Sequence, residues 1–122
     1  MIPRATTRAV MERDGHVCML QLPGCAQEAT VPDHRANRGH GGSKALNSPQ
    51  CLVASCGLCN GRKETATGAE LAELIRRGVR VLRMARNEQT AQRCLEVPVE
   101  YPDGSRWWLT PWGRQDHEEK PY

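Results

Sequence analysis

Six cysteines, an adjacent Asp33-His34 pair and an asparagine directly behind a Cys-x-x-Cys pair are the residues of this chain whose types and spacing could do chemistry. Cys56-Gly57-Leu58-Cys59 has the tight spacing of a metal knuckle. Cys18 and Cys25 stand further apart, with six residues between them, but Pro23-Gly24 supplies the turn that a knuckle requires. Together the two pairs make a four-thiolate set suited to tetrahedral zinc, a site with no open position and therefore structural. The alternative is a group of independent core thiols. His16 is a possible substitute ligand, and Cys51 and Cys94 remain as small apolar residues.

The second chemistry lies in residues 31–63. Asp33-His34 ends a short apolar stretch, and a sixteen-residue loop, 35–50, follows with Gly39, Gly41, Gly42 and Pro49. Loops of that length without structure of their own are uncommon in compact domains and are often functional. A neutral imidazole suits removal of a proton from water near pH 7, and carboxylate and amide oxygens suit a hard divalent ion. Those are the requirements of phosphodiester hydrolysis. Taken alone, a histidine at a strand end is more often a hydrogen-bonded structural residue, and Asn60 could cap the helix that follows it. Arg35, Arg38, Arg62 and Lys63 form either a solvated face or a set of phosphate contacts.

The elements that must position these groups belong to a chain of 122 residues, the size of one domain. With no Phe, three Trp and two Tyr there is little bulk for a core, so a staple is expected. The first sixteen residues carry no apolar run of the signal-peptide kind, and no stretch approaches the roughly 18 apolar residues of a membrane span. A reducing cytoplasm and no membrane are the expectation, a setting in which these spacings favour zinc over disulfides. Residues 1–63 hold eight Lys and Arg against four Asp and Glu, whereas residues 64–113 hold seven of each. The basic excess therefore lies with the candidate site, although four zinc-bound thiolates would cancel part of it.

Residues 5–13 are helix-permissive and Asp14-Gly15 closes them with turn chemistry. Residues 29–34 read as a strand, 52–54 as the returning strand, and a helix starts at Asn60. Thr67 to Glu70 has the form of a capping box, ahead of a helix with Leu71, Leu74 and Ile75 on one face, Glu73 near Arg77, and Gly78 as the stop. Residues 79–82 read as a short strand, and 94–101 with 106–110 as a hairpin about Pro102-Asp103-Gly104-Ser105. Trp107, Trp108 and Trp112 could stack on bases or fill the core, and strand alternation places at least one inside.

The order Cys…Cys, Asp-His, Gly-Gly loop, apolar strand, Cys-x-x-Cys-Asn and Arg-Lys resembles the HNH endonucleases, above all their small free-standing members from phages of actinobacteria. The resemblance covers residues 8–66. It implies an α+β protein: a small ββα-metal (His-Me finger) nuclease unit over about residues 29–66 with a four-cysteine zinc knuckle pair, then a C-terminal helix and β-hairpin. One domain spans 1–113 and a disordered tail 114–122, in a monomer. By position, the resemblance makes His34 the general base and gives Asp33 and Asn60 to a catalytic divalent ion, Mg²⁺, Mn²⁺ or another. The family's middle asparagine falls on Cys51, so Asn47 or Gln50 must brace the loop or leave it less firmly held. The implied activity is metal-dependent cleavage of DNA to 5′-phosphate and 3′-hydroxyl ends, beside a phage terminase. The alternative is a zinc-stabilised DNA-binding module without turnover.

Overall fold

The computed structural model describes residues 1–37 and 44–116, a mixed α+β arrangement with four helices and two small antiparallel sheets among those residues. Helix α1, Arg4–Arg13, buries Val10 and Met11 and ends where Gly15 turns the chain at a φ of 66°. Glycine takes that conformation at the least steric cost. Asp14, just before it, is buried and fully used: it accepts from Arg13 Nε at 2.8 Å, from the Ala54 amide at 2.9 Å, and from the Tyr101 hydroxyl. One carboxylate thus joins the end of α1 to Ala54 and Tyr101, 40 and 87 residues further along the chain.

Strand β1, Val31–His34, pairs antiparallel with β2, Leu52–Ser55, in a register that sets Asp33 opposite Val53 and His34 opposite Leu52. All four β2 residues are buried. Helix α2, Gly57–Lys63, starts inside the second cysteine pair, because the Cys56 sulfur caps it by accepting the Cys59 amide at 3.4 Å. Asn60 therefore sits within the helix and does not cap it. The loop before β2 is not structureless either: two 3-10 turns, Ala45–Asn47 and Pro49–Cys51, occupy its second half, and residues 38–43 lie outside those described.

Helix α3, Gly68–Arg76, follows with Leu74 buried. Thr67 stands at its N-cap without a side-chain cap, because Glu70 pairs with Arg62 and the expected capping box does not form. Gly78 ends the helix at a φ of 75°, and a β-carbon there would lie 2.0 Å from the Pro98 carbonyl oxygen. No strand forms over 79–82. The amide of Arg80 donates to Leu74 O and that of Val81 to Arg35 O, so this segment is pinned as a linker with no partner strand.

Helix α4, Asn87–Glu96, was not apparent in the sequence. It displaces the first half of the expected hairpin, which shrinks to β3, Val99–Glu100, paired with β4, Arg106–Thr110. Strand β5, Gly113–Asp116, adds a third member, so the polar tail expected from residue 114 begins as sheet, with 117–122 outside the described residues. Trp107 packs partly against the core, while Trp112 is 93% exposed.

Candidate metal centre and adjoining cleft

The sulfur atoms of Cys18, Cys25, Cys56 and Cys59 all lie within 4.8 Å of one another, close enough to bind one metal ion. A tetrahedral ion with thiolate bonds of about 2.3 Å, as zinc makes, holds its sulfurs about 3.8 Å apart. Local structure builds this set. The Cys25 amide bonds to Leu22 O at 3.0 Å across the Pro23-Gly24 turn, and the Cys18 amide bonds to Gln27 O at 2.7 Å. Amide hydrogens of Cys59, Ala26 and Gln27 point at the Cys56 and Cys25 sulfurs. Burial pushes the Cys56 thiol up, but the Cys59 and Ala26 amides and the neighbouring thiols outweigh it and bring it down to about 6. His16 takes no part in the cluster.

Beside this centre, at the end of β1, opens a cleft of about 830 Å³ whose lining includes Asp33, His34, Asn60, Lys63, Glu64 and Arg83. All three residues expected to act together, Asp33, His34 and Asn60, thus face one cavity. Strand β1 supplies the first two, and α2 supplies Asn60 from the turn directly after the last cysteine.

Asp33 is 5% exposed and receives Lys63 Nζ on Oδ1 at 2.6 Å, while its Oδ2 is buried with no hydrogen-bond partner among the described residues. Burial pushes its carboxyl above the ordinary range, against the pull of the Lys63 ammonium. An orphaned carboxylate oxygen, on a residue that lines the same cleft as Asn60, is donor chemistry that fits a hard cation with water completing the shell. His34 Nε2 lies 2.9 Å from Asn47 Oδ1, which brings to the imidazole an amide from the first 3-10 turn.

Of the four cations expected to meet phosphate, the three that are described, Arg35, Arg62 and Lys63, are each engaged by other protein groups. Arg35 is fully buried, donating from Nε to Gly78 O at 2.9 Å, from Nη1 to Gln50 O at 2.7 Å and Cys94 O at 2.8 Å, and from Nη2 to Val97 O at 2.8 Å. It is a tie between β1, the second 3-10 turn and the ends of α3 and α4, and it cannot reach DNA. Lys63, 5% exposed, is spent on Asp33 and on His34 O at 3.0 Å. Arg62 forks onto Glu70 at 3.1 and 3.0 Å and is not on the cleft. Arg38 lies outside the described residues.

Sequence reasoning missed Glu64 and Arg83. Glu64 follows Asn60 at i+4, a spacing that would have placed both on one face. Arg83 comes from the linker after α3, and nothing in its local sequence points to the cleft.

Compared with protein-family models, with curated proteins and with solved structures, the chain matches none. No helix among the described residues is long and apolar enough to cross a membrane.

Proposed function

We propose that the protein is a metal-dependent DNA endonuclease of the HNH type, built on a ββα-metal unit and held by a structural zinc at Cys18, Cys25, Cys56 and Cys59. The observation that carries this is the meeting of Asp33, His34 and Asn60 at one cleft, where a buried Asp33 oxygen lacks a partner. The order of β1, β2 and α2 is that expected of such a unit.

In this mechanism His34 takes the proton from the attacking water. With Nε2 directed at an amide oxygen, that nitrogen carries the hydrogen and the lone pair resides on Nδ1, which is the basic atom. General-base catalysis of this kind contributes about 10²–10⁴-fold. Asp33 Oδ2 and the Asn60 side-chain oxygen would hold a divalent ion, Mg²⁺ or Mn²⁺, which supplies positive charge to the phosphate and to the departing 3′ oxygen. Lys63 opposes the upward pull of burial on the Asp33 carboxyl and, through its bond to His34 O, fixes the backbone of the base. Phage genome processing beside a terminase is the setting proposed from the resemblance alone.

One observation favours a second reading, a zinc-stabilised DNA-binding module without turnover. Lys63 already engages one Asp33 oxygen, which weakens that carboxylate as a ligand. Purified protein incubated with supercoiled plasmid and Mg²⁺ or Mn²⁺ separates the two. Nicked circles that disappear with His34→Ala are the expected result, and DNA that is bound but never cut would establish the second.

A further inference from the structure

We propose that Arg83, on the linker between α3 and α4, is the cation that contacts the DNA phosphodiester at this cleft. The inference rests on the nuclease reading and adds to it the residue that receives the substrate.

Two carboxylates, Asp33 and Glu64, line the cleft and would repel a phosphodiester. Lys63 cannot answer for both: its side chain is 3% exposed, and its ammonium is held by Asp33 Oδ1 at 2.6 Å and His34 O at 3.0 Å, with Glu64 at 3.7 Å. Among the described residues that line the cleft, Arg83 is the other Lys or Arg. It is exposed, and no ion pair or hydrogen bond engages it among the described residues. A free guanidinium beside two carboxylates restores the charge balance that a phosphate needs, and its planar fork matches two phosphate oxygens.

The linker holds Arg83 in place. Two residues earlier the amide of Val81, a buried residue, donates to Arg35 O at 2.7 Å, next to His34 in β1. One residue later the amide of Met84 donates to Thr90 Oγ1 at 2.9 Å. The backbone is thus fastened on both sides while the side chain stays in water, as expected of a contact that must form with an incoming strand.

Salt dependence tests this directly, since each phosphate contact contributes about 0.9 to the slope of log K against log salt. Binding of a labelled DNA duplex is measured by anisotropy between roughly 50 and 200 mM salt, the range over which such contacts are strongly felt, without added Mg²⁺ or Mn²⁺. Arg83→Ala should reduce the slope by about 0.9 and slow plasmid nicking severalfold. Arg83→Lys should keep the slope, and Arg93→Ala, removing an exposed charge on α4 away from the cleft, should match wild type. If wild type binds and nicks DNA but Arg83→Ala is indistinguishable from Arg93→Ala, or Arg83→Lys loses the slope as well, the assignment of Arg83 is overturned and the nuclease stands. If wild type neither binds nor cuts, both fall.

Discussion

His34 Nε2 stands 2.9 Å from Asn47 Oδ1, and the Asn47 amide nitrogen in turn donates to the Met1 carbonyl at 3.2 Å. The amide is thereby oriented with its oxygen toward the ring, which sets the tautomer of the imidazole. Asn47→Ala should lower the nicking rate roughly 10–100-fold, the scale of a misplaced reacting group, with little loss of melting temperature. An unchanged rate would show that the base needs no such brace.

The four-cysteine centre and the proposed catalytic-ion site should separate in stability. Cys56→Ser removes a thiolate ligand and the N-cap of α2 together, and should cost more than about 3 kcal/mol, with loss of bound zinc. Asn60→Ala lies outside the cysteine set and should leave the melt nearly unchanged while abolishing the response of nicking to Mg²⁺ or Mn²⁺. Thermal melts alongside metal analysis check this, and equal destabilisation by the two variants would contradict it.

Among the described residues no carboxylate pairs with Arg35, whose charge is solvated by carbonyl oxygens near the ends of α3, α4 and the second 3-10 turn. Arg35→Met would leave four carbonyls without this donor, three in buried contacts and one part-buried, at about 1–3 kcal/mol for each that water cannot reach. Urea denaturation should show a loss of at least about 3 kcal/mol, and DNA affinity of the folded fraction should be unchanged. A variant as stable as wild type but impaired in DNA binding would restore Arg35 to the surface role expected from sequence.

Cys51 and Cys94 meet in the small core cluster beside Arg35. The Cys51 thiol and the guanidinium draw Cys94 down to about 7, against burial, whereas Cys51 is pushed up, first by Cys94 and then by burial. A thiol whose folded value lies below its unfolded value of 9.0 adds stability that is complete above pH 9.0 and is lost as the pH falls through about 7. Cys94→Ala should therefore cost more at pH 9 than at pH 6. Denaturation at the two pH values, with zinc saturating, measures the difference, and a cost independent of pH would mean that Cys94 remains a thiol throughout.

Local spacing was enough for the metal ligands. Cys56-Gly57-Leu58-Cys59 and the Pro23-Gly24 turn fix their own geometry within a few residues, and Asp33-His34 announces itself at the end of an apolar run. By contrast, α4 carries only Ala91, Cys94 and Leu95 as apolar residues, too few for a clear helical stripe, and it forms through its packing on the 3-10 turns. The strand expected over 79–82 failed because a strand needs a neighbour, and Arg35 O and Leu74 O took its amides instead.

The sequence by itself determined which atoms could bind metal and which imidazole could act as a base, since those properties belong to residue type and short-range spacing. Only the tertiary structure decided the fate of the charges. Arg35 and Lys63 look like solvent-facing cations in the sequence, yet four carbonyls from three segments claim one and a buried carboxylate claims the other. Arg83, twenty-four residues beyond the last cysteine of the knuckle, is brought to the cleft by the hydrogen bond of the nearby Val81 amide to Arg35 O, directly after β1. Whether a cation meets water or protein depends on what long-range folding sets beside it, and no window of neighbouring residues carries that information.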